Sequence, residues 1–488
     1  MEAMKISDRR NEATKPTKET DTNSVFRFLR WLRCSVLAIR WLPAPPAIRS
    51  LPAPPAIRWP SILLVLSVPL LPLTAQDSNL GLLLLENVRI IDGTGTQAVE
   101  HGRIVIERGR IARVGPAAKV SARPDAERLD LQGATVIPGL IDLHFHIEND
   151  PKLALRQLSN GITAFRDPGQ WHEKFEELRR MIVADALPGP RIFTTGPHID
   201  GENPAYPADA VVARDPDEAR RAAERSVREG ASSLKIYFRL PWESATAVID
   251  VCNGHRIPCT AHLEILDARE LIAAGLHGIE HITSFGVSLL PRMQAEAYRQ
   301  AVLKDNNARR DGRYRLFAGL DLNGAEARAL YAVLRDRKPF VDPTLAVFER
   351  RVSAKKNDLS GEPGESPPFV EGFARMKELT KRIAQEGARV VVGGHTEVPF
   401  AGRGEAPWRE MELLVESGFT PAEAIAAATS TAAAFLYQSD RLGTLRPGMQ
   451  ADLVVLRDDP HRDVSAIRTV QRVMVGGRWI ERARYEKY

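Results

Sequence analysis

The stretch Val136-Ile-Pro-Gly-Leu-Ile-Asp-Leu-His-Phe-His146 decides how this 488-residue chain is read. A Pro-Gly turn leads into a short apolar run that ends in His144 and His146, two residues apart. Side chains alternate faces along a strand, so both imidazoles, with Asp142 ahead of them, are expected to point the same way. Two convergent imidazoles at a strand end suit a divalent metal, zinc above all.

Downstream of this run, residues 138–437 alternate short apolar strands with helical stretches. The strand candidates are GITAFRD (161–167), RIFTTG (191–196), SSLKIYF (232–238), IPCTAHLE (257–264), GIEHIT (278–283), KPFVDPTL (338–345) and RVVVGGHTE (389–397). With the first they make eight. Helix ends between them are readable: Asp215-Pro216-Asp217-Glu218 sets a cap, a first-turn proline and a Glu three residues on, and Thr420-Pro421-Ala422-Glu423 repeats the device. Eight strand-helix units predict an α/β fold of the (β/α)8 TIM barrel type, with chemistry at the C-terminal strand ends. Charged insertions at about 287–337 and 349–385 flank the seventh strand and are read as solvated helices with loops.

Both flanks of this middle are β-rich. Residues 76–137 carry LLLLENVRIIDG and GRIVIERGRIARVG, and residues 438–488 carry GTLRPGMQADLVVLRDD and VQRVMVGGRWI. Alternating apolar residues punctuated by Gly and Asp announce hairpins. The two ends of the mature chain are therefore expected to meet in one small β-sandwich-like domain.

Each further candidate for chemistry falls near a predicted strand end: Lys235, His262, His281 and His395. A lysine inside a barrel must be paired or neutralised. Carbamylation is one way, because it turns the amine into a carboxylate-like group able to bridge two metal ions.

With PGLIDLHFH (138–146), LKIY (234–237), TAHLE (260–264), IEHIT (279–283) and LGTLRPGMQADLVVL (442–456) in this order, residues 82–482 resemble the amidohydrolase superfamily, specifically its imidazolonepropionase-like and prolidase-like members. The resemblance implies a TIM-barrel hydrolase that uses metal-activated water on an amide, cyclic amide or peptide-like C–N bond. It implies one or two divalent ions, with His144 and His146 on one, a carbamylated Lys235 as bridge, and His262 and His281 on the other. The family usually ends its eighth strand with Gly-Thr-Asp, where the Asp binds metal and takes a proton from the attacking water. Here the triplet is Gly393-Gly394-His395, so His395, or Glu397 two residues on, is the expected base. In the loop GPHIDGENPAYPAD (196–209), His198 and Tyr206 are candidate substrate contacts. A lactone or ester hydrolase on the same metals is one alternative. An exported protein that lost its base and only binds a metal or ligand is another. A serine nucleophile is disfavoured, since the body has no Gly-x-Ser-x-Gly elbow.

The net charge of +5 is concentrated in the leader. Residues 1–75 hold 11 Lys/Arg and 5 Asp/Glu, which leaves 56 against 57 in the body, so charge gives no reason to expect a nucleic-acid partner. The expected partner is a small-molecule substrate, and a homo-oligomer is compatible with the sequence. Arg27, Arg30 and Arg33 beside Phe26 and Trp31 read as a membrane-surface helix, followed by the repeat LPAPPAIR at 42–49 and 51–58. Residues 61–75, SILLVLSVPLLPLTA, read as the h-region of a signal peptide cleaved after Ala75, giving an exported protein. The alternative is an uncleaved anchor, the one route to a membrane. Cys252 and Cys259 are too few for a disulfide framework.

Overall fold

The computed structural model describes residues 81–147, 150–184, 188–352 and 367–488. The leader, the signal-peptide reading and the proposed cleavage site lie outside the described residues.

Five strands open the described chain: β1 (Leu82–Ile90), β2 (Val99–Glu107), β3 (Arg110–Pro116), β4 (Glu127–Asp130) and β5 (Thr135–Pro138). Three follow as β6 (Leu140–Asp142), β7 (Ile162–Asp167) and β8 (Arg191–Thr194). The next seven are β9 (His198–Asp200), β10 (Ala210–Val212), β11 (Leu234–Ile236), β12 (Cys259–His262), β13 (Gly278–Glu280), β14 (Phe340–Asp342) and β15 (Arg389–Val390). The chain closes with β16 (Leu453–Leu456), β17 (Val470–Val475) and β18 (Arg478–Trp479).

Strands from both ends of the body build one eight-stranded sheet in the order β18-β17-β16-β5-β1-β2-β3, with β4 paired to β1. Its seam is the antiparallel pair β5–β16, in which Ile137 faces Val454 and Val136 faces Val455. Alternation then assigns each face a core: Val136 and Val455 join Leu85, Ile104 and Met474 in the sheet's own cluster, while Ile137 and Val454 face the central α/β core. The opening stretch is thus shared: β5 belongs to this sheet, whereas β6, which follows after Gly139, begins the parallel strands.

The middle of the chain is mixed α/β, with parallel strands in two sheets, β6-β7-β8 and β10-β9-β11-β12-β13-β14-β15. Backbone bonds reach between them, from Leu143 N to Val392 O (3.0 Å) and from Ser232 N to Thr194 O (2.8 Å). Helices that cover these strands start as the sequence signals predict. Asp215 accepts from Glu218 N ahead of Pro216–Arg228, and Thr420 and Glu423 form a reciprocal capping box before Pro421–Ala427. The inserted segments are helical at Arg292–Lys304, Ala308–Ala318, Ala325–Arg337 and Pro367–Gln385. Among the described residues no helix is long and apolar enough to cross a membrane.

Several predicted strands are shorter than expected, because the chain turns away to present side chains. β6 stops at Asp142, and the run predicted to 397 is a ladder only at Arg389–Val390. The loop at 196–209 instead contains a short strand, β9, and leads into β10. Gly139, between β5 and β6, has no room for a side chain, since a Cβ there would overlap the Thr163 hydroxyl and methyl. Gly139→Ala is expected to cost about 1–3 kcal/mol in urea unfolding. Thr163→Ala in the same chain should recover some of that loss.

Candidate metal centre

His144 and His146 lie just beyond β6, in a segment tied down on every side. Leu143 N donates to Val392 O, Phe145 N to Arg166 O (3.0 Å), and Ile147 N to Asp167 Oδ2 (2.7 Å). Asp142, expected to share a face with the imidazoles, is instead consumed by the scaffold. Its buried carboxylate accepts from His144 N (3.0 Å), Gly394 N (2.8 Å) and Gln157 Nε2 (3.0 Å), which staples the end of β6 to the segment after β15.

Three imidazoles converge above this staple. One ligand nitrogen each from His144, His281 and His395 lies within 4.8 Å of the others. His146 joins through His144 and His395, at ring-centroid distances of 5.1 and 5.3 Å. His262 joins through His281, at 4.4 Å. The five histidines read from the sequence as metal-site candidates therefore lie together. Four of them have one ring nitrogen facing a polar group: His144 Nδ1 with Asp342 Oδ2 (2.9 Å), His281 Nδ1 with Thr344 Oγ1 (2.7 Å), His262 Nε2 with Glu264 Oε1 (3.1 Å), and His146 Nδ1 with Asp167 Oδ1 (3.7 Å). His262 Nδ1 is buried without a partner. Burial pushes His144, His281 and His395 well below the usual histidine pKa, and His262 down to about 3. Neutral imidazoles with a lone pair free are the protonation state a divalent metal requires.

The backbone here is strained. His281 (φ 64°), Thr344 (φ 48°), His395 (φ 54°) and Thr396 (φ 66°) all lie in the left-handed region that favours glycine. Such conformations persist where surrounding contacts enforce them, and they gather at functional sites. They also correct the reading of Glu397. Alternation would have set it beside His395, but two consecutive left-handed residues turn it outward, where it is exposed and paired with Arg403 (3.3 Å).

Lys235 is buried and paired with Glu280, whose other oxygen accepts from Arg166 Nη2 (2.9 Å) and from Thr260. Arg166, fully buried, also donates to Ser233 Oγ (3.0 Å) and Leu143 O (3.2 Å). Burial, with Arg166 adding like charge, lowers the Lys235 pKa well below its usual value. Arg166, Glu280, Asp342 and Thr344 were missed in the sequence reading. A charged residue inside an apolar strand, as in ITAFRD or FVDPTL, was the available signal. His198 is buried on β9, 4.5 Å from the Tyr237 ring, with Nε2 unpartnered. Tyr206 is more exposed, edge-on to Tyr237 at 6.0 Å.

Comparison with known proteins gives three kinds of likeness. A profile described as the amidohydrolase family matches residues 374–480. The adenine deaminase of Deinococcus radiodurans is 27% identical over 401 residues, 78% of this chain, and the chain spans only 60% of that protein's length. The imidazolonepropionase of Geobacillus kaustophilus is 23% identical over 416 residues, covering 78% of this chain and 90% of the relative. Among solved structures, a protein of Bifidobacterium longum named provisionally as a prolidase superposes with a TM-score of 0.63 at 25% identity, over 82% of this chain and 95% of its own.

The buried ion network generates a stability prediction. Glu280→Gln leaves Arg166 and Lys235 without their shared counter-charge and is expected to cost about 3–5 kcal/mol in chemical denaturation. Glu397→Ala should shift the same curve by less than about 0.5 kcal/mol.

Proposed function

We propose that the chain, on its likeness to the amidohydrolase family, is a metal-dependent hydrolase of a C–N bond in a small amide, cyclic amide or peptide-like substrate. The observation that carries the proposal is the convergence of His144, His281 and His395 within 4.8 Å, with His281 and His395 held in left-handed backbone. All-nitrogen donors fit zinc better than a hard, oxygen-preferring cation. We further read the two parallel sheets as one closed (β/α)8 barrel, supported by the Leu143–Val392 and Ser232–Thr194 backbone bonds, with the mixed sheet as its small β-sandwich-like companion domain.

His144 and His281, with His146 and His262 beside them, would hold a divalent ion, and such an ion would supply the Lewis acidity that polarises a carbonyl and acidifies water. A neutral imidazole has one lone pair, so His395 cannot ligate and accept a proton in the same step, as a two-oxygen carboxylate can. The proposal gives His395 the proton, taken on its ring nitrogen and returned to the leaving amine. His198, with a free buried Nε2, and Tyr206 at the rim orient the substrate against Tyr237. Lys235 is occupied by Glu280, which favours one ion in this form. A carbamate on Lys235 would add negative charge opposite Glu280 and open a place for a second. Export of the protein is proposed from the leader sequence alone.

Metal analysis of purified protein should find at least one equivalent of zinc or a similar ion. His144→Ala with His146→Ala should lose both the metal and all hydrolysis across amide and lactone panels. His395→Ala should keep the metal and lose turnover by about 100-fold or more. Unchanged turnover in the double variant would refute the proposal, and metal loss in His395→Ala would make that residue a ligand instead. Metal content that doubles with added bicarbonate would support the carbamate on Lys235.

A further inference from the structure

Two of the three converging imidazoles are gripped by one short turn. β14 ends at Asp342, and the chain continues as Pro343 and Thr344 before entering the helix Leu345–Phe348. Asp342 Oδ2 lies 2.9 Å from His144 Nδ1, and Thr344 Oγ1 lies 2.7 Å from His281 Nδ1. The same turn fixes the backbone of His281, whose N–H donates to Asp342 O (2.7 Å), while Ile282 N donates to Pro343 O (3.1 Å).

The arrangement is costly, which argues against accident. Thr344 is β-branched and left-handed at φ 48°. The Asp342 carboxyl is 2% exposed, and its Oδ1 has no partner. Space for it is reserved across the strand, because any Cβ on Gly393 would overlap the Asp342 carboxylate. The turn is anchored from behind by Glu410, which accepts from Leu345 N (2.9 Å) and Ala346 N (2.8 Å).

We infer that Asp342 and Thr344 are positioning residues that engage Nδ1 of His144 and of His281 and so direct both Nε2 atoms to a common metal ion. A histidine whose Nδ1–H is donated to a neighbouring oxygen is locked in the tautomer with its lone pair on Nε2. The inference rests on the metal site proposed above and names the turn of this chain that orients it. The acid beside the centre stands on the seventh strand, where the eighth carries His395.

The test is a cobalt titration of the apo full-length chain, read by visible absorption, with zinc competition and a melting curve of each apo protein. Asp342→Asn and Thr344→Val should each weaken metal binding by about 10–100-fold and shift the cobalt bands. Both apo variants should melt within about 3 °C of wild type, since each substitution is isosteric and keeps the packing of the turn. A merely structural residue would lower both quantities together. If Asp342→Asn does not fold, Thr344→Val decides alone. Wild-type affinity and unchanged bands in the folded variants would overturn the inference while leaving the metal site standing. A wild-type chain that binds neither cobalt nor zinc would overturn both.

Discussion

A guanidinium and an ammonium cannot sit among parallel strands without a counter-charge, and here one carboxylate serves both. Glu280 receives Lys235 on one oxygen and Arg166 and Thr260 on the other, joining β7, β11, β12 and β13 at a single point. Each ion has left water at a cost of several kcal/mol, so the group is stable only while complete. Arg166 carries the network to the opening stretch through Leu143 O, one residue before His144. The polar layer thereby fixes the floor on which the histidines stand.

Above that floor the molecule gives up regular structure to aim side chains. β6, β13 and β14 end at Asp142, Glu280 and Asp342, each within two residues of a centre histidine or of the Thr344 that holds one. After β13 and β14, His281 and Thr344 take left-handed backbone that ordinary side chains avoid, as do His395 and Thr396 beyond β15. Asp142 staples the end of β6 to the segment after β15, and Asp342 and Thr344 tie the end of β14 to His144 and His281. Stability is spent on preorganisation: imidazoles are assembled in advance, and His144, His281 and His262 each have one nitrogen already hydrogen-bonded and the other available.

Much of this was legible in the sequence, for reasons that differ by residue. His144, His146, Lys235, His262, His281 and His395 stand out because chemically versatile residues end apolar runs, and the folded chain brings the five histidines together. The shared sheet was legible because hairpin patterns bracket the chain. Asp342 was not, since a lone acid inside FVDPTL acquires meaning only when Gly393 and His144 are brought against it. Glu397 misled because alternation assumes extended backbone, and the left-handed pair at 395–396 breaks it. Arg166 and Glu280 lie 114 residues apart, and nothing local announces their pairing.

The central claim is that these histidines are a metal centre. X-ray absorption at the zinc edge, recorded on the full chain loaded with one equivalent of zinc, tests it most directly. The account predicts nitrogen neighbours at about 2.0–2.1 Å with the outer-shell scattering of at least two imidazole rings. A spectrum of oxygen neighbours alone, without imidazole scattering, would contradict it.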